Sequence, residues 1–176
     1  MKTSLVQSVH IAICLVLAAA LQDMSPSFGG VKPPFLQVFA LHEAFTARNG
    51  VRANGRDPRH ATRWIWTAIV AGVFMEALSG LPFGCCTGFL LPACAVARAV
   101  RRAVADIPPV ALGLAAAMIF APLQEAWLDA WGVTGGGSAF LRFFASALPA
   151  AGTGVALFTC LPALEAFAGL REEGTE

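Results

Sequence analysis

Acidic residues inside apolar runs are the groups most able to do chemistry in this 176-residue sequence. Glu76 lies well inside the third apolar run. A carboxylate there is costly unless it faces the interior of a helix bundle, finds a partner or is protonated. The position predicts one of two roles. Glu76 either makes a polar contact that fixes packing or a partner, or it sits solvated near a membrane interface, since Ser79 and Gly80 follow closely.

Two further acidic groups have the spacing of possible sites. Glu125 and Asp129 are four residues apart, so they share one face of a helix and could act as an acidic pair on an ion or a substrate. The favoured interpretation is that they mark the outer end of the fifth helix. His42 and Glu43 similarly fit the end of a short second span, with no nucleophile close in the sequence.

The sequence lacks the constellations that enzymes of membrane substrates use. The segment Leu78-Ser79-Gly80 is similar to the serine motif of rhomboid proteases, but no histidine occurs in a later run to act as the base. The glycine-rich segment Gly135-Gly136-Gly137-Ser138 has no following lysine, so it does not predict a phosphate loop. We therefore expect no enzyme and no cofactor. The five cysteines predict apolar packing residues rather than a metal site; they are Cys14, Cys85, Cys86, Cys94 and Cys160.

The composition predicts how these residues are positioned. Hydrophobic residues make up 57% of the chain, charged residues only 13%, and the mean hydropathy is +0.67. Six membrane spans of roughly 20 residues each would use about 120 residues, which leaves no room for a separate catalytic domain. The net charge of +1 does not indicate nucleic-acid binding. We expect one all-α membrane domain over residues 1–176.

Six apolar runs give the predicted helices. The first follows Lys2 and ends in Ala18-Ala19-Ala20; it is similar to a cleavable signal peptide, but a retained transmembrane helix is the preferred interpretation. The second is the weakest because Gln37, His42 and Glu43 interrupt it, and it predicts either a span or a re-entrant segment. The predicted spans are residues 5–21, 34–46, 64–81, 83–100, 108–131 and 140–164.

The distribution of basic residues predicts the orientation of this bundle. With six spans, Lys32 and Arg142 fall on one side, and the other ten Lys and Arg residues fall on the side that holds both termini. The positive-inside rule then predicts cytoplasmic termini. The polar loop from Arg48 to Arg63 is interpreted as a topology determinant, with binding of anionic lipid or an acidic partner as the alternative. The ten are Lys2, Arg48, Arg52, Arg56, Arg59, Arg63, Arg98, Arg101, Arg102 and Arg171.

A motif between the third and fourth runs resembles the MreD family, the rod shape-determining membrane proteins of bacteria. That pattern is a glycine, an acidic residue four positions later, a Gly-Leu-Pro-x-Gly-like turn, and an apolar helix with a basic end. The basic end here is Arg98, Arg101 and Arg102. The matching motif residues are Gly72, Glu76, Gly80, Pro82 and Gly84.

The resemblance implies a non-enzymatic scaffold of the cell-elongation machinery in the bacterial cytoplasmic (inner) membrane. Such a scaffold would support rod shape and peptidoglycan synthesis together with an MreC-like bitopic protein and other elongation-complex proteins. The family is thought to be similar in fold to the substrate-binding membrane subunits of energy-coupling-factor vitamin transporters, so such a subunit is the alternative function. The two differ in one expected feature, because a vitamin-binding subunit needs a cavity lined by polar and aromatic residues at the outer helix ends.

Overall fold

The structure, a computed structural model, describes residues 2–27, 32–46, 51–52, 55–56, 58–104, 107–133 and 139–167. These residues form an α-helical chain, as predicted. A two-residue antiparallel ladder between β1 (Val51–Arg52) and β2 (Gly55–Arg56) precedes the third helix. The six helices are α1 (Lys2–Met24), α2 (Phe35–Thr46), α3 (Pro58–Ser79), α4 (Cys85–Ala103), α5 (Pro109–Ala130) and α6 (Ala139–Phe167).

All six helix starts differ from the predicted spans by one to six residues, and the starts of α3 and α4 have clear physical reasons. Helix α3 begins at Pro58, six residues before the predicted span, so Arg59 and Arg63 belong to its first turns rather than to a loop. Proline suits the first position of a helix because its missing N–H would be unpaired there anyway. Helix α4 begins at Cys85 rather than at residue 83, because Gly84 adopts a left-handed conformation with φ of 91°. The arginine-rich segment lies partly outside the described residues.

Two helices are long and apolar enough to cross a membrane among the residues that the structure describes: Val110–Ala130 and Leu141–Leu164. A shorter apolar helix covers Ser8–Met24. Only 33% of each long apolar window is buried inside the molecule. A core helix of a soluble protein would instead be mostly buried, so these windows weakly indicate association with a membrane.

The predicted bundle of six spans is therefore confirmed only at the coarser level of a six-helix chain. Helix α2 has 12 residues, which at 1.5 Å per residue gives about 18 Å, against a hydrocarbon thickness of about 30 Å. Helices α3 and α4 carry charged side chains that reduce their hydropathy, notably Arg63 and Glu76 in α3 and the three arginines that end α4.

The short helix α2 lies at the centre of the bundle. Residues 36–45 are all buried, and α2 contacts each of the five other helices. Successive helices alternate in direction along the chain. The last residues of α1, α3 and α5 and the first residues of α2, α4 and α6 lie at the same end of the bundle, where they line or adjoin a common cavity. The beginning of α1 and the end of α6 consequently lie toward the opposite end.

The exterior of the molecule carries many large apolar side chains, and the mainly apolar interior also contains polar groups. Large apolar side chains are exposed along α1, α5 and α6, for example Val16 at 58%, Ile119 at 56% and Leu148 at 72% exposure. Polar and charged side chains are buried between helices instead; they are Gln22, Gln37, His42, Glu43, Thr67, Glu76, Arg98, Gln124, Ser146 and Thr153. An apolar exterior around polar interhelical contacts is typical of helices packed in lipid.

Candidate functional site

Glu76, which belongs to α3, caps the N-terminus of the next helix, α4. Its side chain is 3% exposed, and the Gly84 N–H donates to Oε2 at 3.0 Å. The Thr87 N–H and hydroxyl donate to Oε1 at 2.8 and 3.1 Å. Gly84 is the N-cap residue of α4 and has no side chain to accept these N–H groups. The Glu76 carboxylate therefore replaces an N-cap side chain at the start of α4, and the positive end of the α4 dipole stabilises its charge.

The glycines on either side of the turn make this cap possible. Gly80 ends α3 with φ of 64°, and the Leu81 N–H donates to the Glu76 carbonyl at 3.2 Å. That six-to-one bond closes the helix in the manner of a Schellman motif, which requires a left-handed residue. Pro82 lies in the turn, and its carbonyl accepts the Cys85 N–H at 3.3 Å.

Gly72 lets α3 and α4 approach closely one turn below Glu76. A Cβ atom at this position would lie 2.7 Å from the Cα atom of Thr87 and 2.5 Å from its hydroxyl oxygen. A methyl group at residue 72 would therefore collide with backbone, which cannot rotate away. Gly72 and Glu76 both meet Thr87, so the motif residues Gly72, Glu76, Gly80, Pro82 and Gly84 form one interlocked α3–α4 hairpin.

A half-open cavity of about 320 Å³ lies where five helices meet beside this hairpin. Its outer part is formed by exposed groups that include Asp23 and Lys32, which are joined by a 3.0 Å ion pair. Its inner wall is buried and neutral; this wall includes Gln37, Met75, Ala121, Gln124, Leu128 and Ser146. No aromatic residue is among the described lining residues.

Two glutamines of the inner wall have unused hydrogen-bonding atoms. Gln37 Nε2 and Gln124 Oε1 are buried without a hydrogen-bond partner in the part of the chain that the structure describes. The Gln124 Nε2 group makes only a long contact of 3.9 Å to the Cys86 sulfur. By contrast, Gln22 at the same cavity is satisfied on its oxygen, which accepts the Leu36 N–H at 3.1 Å and so caps α2.

A buried ion pair lies further along α2, away from the cavity. Arg63 Nε and Nη2 both donate to Glu43 Oε2, at 3.0 and 2.7 Å, and Glu43 is 2% exposed. His42 packs edge-on against Phe158, with ring centroids 4.9 Å apart. The arginine that was counted as a topology determinant therefore also neutralises a carboxylate in the bundle core.

Glu125 and Asp129, the acidic pair of the sequence, differ in their surroundings. Asp129 accepts a hydrogen bond from Arg142 at 3.1 Å at the exterior, and its side chain is 49% exposed. Glu125 is half-buried and lines the cavity. Trp127 lies at the same end of α5, where its ring N–H donates to the Cys85 carbonyl at 3.0 Å.

The sequence prediction missed the partners of the motif and the cavity glutamines. Thr87 is an ordinary polar residue eleven positions after Glu76, and no spacing rule connects the two. In the sequence, Gln37 is one of three polar residues that interrupt the weak second run, and Gln124 precedes Glu125 near the end of the fifth run. A buried amide inside an apolar run was the available signal, because lipid gives such a group no hydrogen bonds.

The described residues do not cluster metal ligands, since no group of three His, Cys, Asp or Glu side chains comes together. The five cysteines are free thiols, and Cys85, Cys86 and Cys94 are buried among apolar neighbours. Searches against protein-family models, curated proteins and solved structures found no match to this chain.

Proposed function

We propose that this chain is a non-enzymatic, multi-pass scaffold of the bacterial cytoplasmic membrane, of the MreD type. It would take part in cell elongation, support rod shape and peptidoglycan synthesis, and bind an MreC-like bitopic protein. The observation that carries the proposal is the interlocked α3–α4 hairpin, because every residue that bears the resemblance has a specific contact or turn conformation in it. Residues that act together in one rigid element are what a docking surface requires.

The apolar exterior of the bundle supports the membrane part of the proposal. Exposed apolar side chains cover α1, α5 and α6, whereas charged groups such as Glu43 and Glu76 are buried with partners. Six spans with both termini in the cytoplasm fit the alternating helix directions and the basic residues, ten of which would face the cytoplasm. The short α2 then crosses only the core of the bundle, shielded from lipid by its neighbours.

The substrate-binding subunit of an energy-coupling-factor transporter is the second candidate. One observation favours it: the cavity lies at the end of the bundle that would face the outside. The aromatic residues that such a site was expected to contribute are not among the described residues lining it, so the scaffold is the better supported of the two functions.

Co-purification tests the proposed function directly. Affinity-tagged protein, isolated from membranes in mild detergent, should retain an MreC-like protein of the same cell in near-stoichiometric amount. The variant Gly72→Ala, which forces the hairpin apart, should lose it, whereas Gly88→Ala should retain it, because a Cβ at residue 88 meets no atom within 4 Å. Recovery of ATPase subunits in place of an MreC-like protein would overturn the scaffold and establish the transporter subunit.

A further inference from the structure

We propose that the cavity between the helix ends is a binding site for a small uncharged molecule that carries a hydrogen-bond acceptor and a hydrogen-bond donor side by side, as an amide does. This inference goes beyond the scaffold function. It concerns the interior of the bundle and not the hairpin, and it can be tested without any partner protein.

The first argument is the pair of unsatisfied amide groups. Gln37 is 1% exposed and Gln124 is 5% exposed, and both line the cavity. Gln37 Nε2 offers a donor and Gln124 Oε1 an acceptor, and neither has a partner among the described residues. A buried polar group without a partner costs about 1–3 kcal/mol. Both residues line one cavity, so complementary polar atoms of a ligand in that cavity would satisfy these two groups.

The second argument is the size of the cavity together with the absence of charge on the buried part of its wall. Its volume of about 320 Å³ lies at the lower end of the range of small-molecule sites, about 300–1,000 Å³. The buried part of the wall carries no charged side chain. The ion pair of Asp23 and Lys32 lies at the exposed part of the cavity and is internally neutral. The half-buried Glu125 carboxylate also lines the cavity and would repel an anion, and no charged side chain of the buried wall could pair with a cation, so the group inserted beside the two amides is uncharged.

The remaining wall determines the ligand's shape and polarity. Met75, Ala121 and Leu128 provide apolar contacts beside the two amides, and the Ser146 hydroxyl already donates to its own helix at the Phe143 carbonyl. The inserted group therefore needs an apolar face in addition to its acceptor and donor. Primary carboxamides on a ring have this combination.

Nicotinamide and 3-acetylpyridine form a matched pair of probes, because the second replaces the amide NH₂ of the first by a methyl group. Binding to the purified full-length protein in lipid nanodiscs would be followed by saturation-transfer NMR and by the shift in melting temperature. Nicotinamide should bind about tenfold more tightly than 3-acetylpyridine, since only nicotinamide satisfies the Gln124 oxygen. Equal affinities would show mere partitioning into apolar space and would overturn the proposal, as would no binding of either probe.

Variants at the two glutamines separate a ligand site from a structural role. Gln37→Met and Gln124→Met preserve side-chain length and should each reduce nicotinamide affinity about tenfold, with a melting temperature close to that of the native protein, because the hydrogen bond that Gln124→Met removes is the long 3.9 Å contact of Nε2 with the Cys86 sulfur. Thr153→Val is the control, because its hydroxyl is bonded to its own helix outside the cavity. It should leave the affinity unchanged. A marked loss of stability in both glutamine variants with unchanged affinity would show that the amides serve packing.

Discussion

At the scale of single residues, two buried carboxylates each join a pair of helices. Glu76 accepts three hydrogen bonds from the first turn of α4, and Glu43 accepts two from Arg63. These contacts indicate that both carboxylates stabilise helix packing. Their contribution to the free energy of unfolding can be measured with variants.

Removal of the Glu76 carboxylate should weaken the hairpin without preventing insertion. Glu76→Ala leaves two N–H groups of α4 without an acceptor, and loss of a cap costs about 1–2 kcal/mol. We expect normal expression, a lower melting temperature in detergent and weakened association with an MreC-like partner. Glu76→Asp retains the charge and should be tolerated. The control is Glu125→Ala at the cavity, which should melt close to the native protein; full complementation and native stability of Glu76→Ala would contradict the capping role.

Removing one partner of the Arg63–Glu43 ion pair should destabilise the protein more than removing the charge of both partners. Arg63→Ala leaves a 2% exposed carboxylate without its cation, and breaking a buried pair in this way costs about 3–5 kcal/mol. Adding Glu43→Gln should recover much of that loss, as measured by the free energy of unfolding in denaturant. Arg142→Ala breaks a pair whose acid is half exposed and should cost below about 1 kcal/mol. Similar costs for the two arginine variants would contradict the assignment.

At the scale of elements, the sequence predicts the hairpin and the bounds of α2 well, but not the central position of α2. The glycines and Glu76 could be recognised because their spacing is local, so a turn and one helix face follow from the chain alone. Helix α2 was judged weak because Gln37, His42 and Glu43 interrupt it. Those same groups explain its central position, because only a helix surrounded by five others can satisfy or shield them away from lipid. The cavity could not be predicted, since it depends on how several helix ends meet.

The α3–α4 contact should tolerate a methyl group at one glycine and not at another. Gly72→Ala places Cβ against the Thr87 backbone, so the helices must separate, and overpacking of this kind costs about 1–3 kcal/mol. Gly88→Ala, on the same helix pair, meets open space and should gain up to about 1 kcal/mol from helix propensity. Melting temperatures of the two variants provide the measurement. Equal shifts would mean that α3 and α4 do not approach closely.

At the scale of the whole molecule, the alternation of helix directions leads to one testable orientation. The cavity and the start of α4 lie at one end of the bundle, and the beginning of α1 and the end of α6 lie toward the other. Together with the basic residues, this arrangement predicts cytoplasmic termini.

Reporter fusions test this orientation. Alkaline phosphatase should be inactive when fused after Glu176 and active when fused near Gly136, between α5 and α6. A complementary reporter that is active only in the cytoplasm serves as the control and should give the reverse pattern. An active fusion at Glu176 would contradict the proposed membrane topology.

In the multi-pass topology proposed above, the burial of α2 would have a consequence for biogenesis. At about 18 Å, and with a glutamate near its end, this segment is too short and too polar to leave the translocon into lipid alone. It must enter the bilayer together with a neighbour, and the contact between Glu43 and Arg63 identifies α3 as that neighbour. In this topology α2 and α3 would insert into the membrane together. A nascent chain truncated before α3 should leave α2 outside the bilayer.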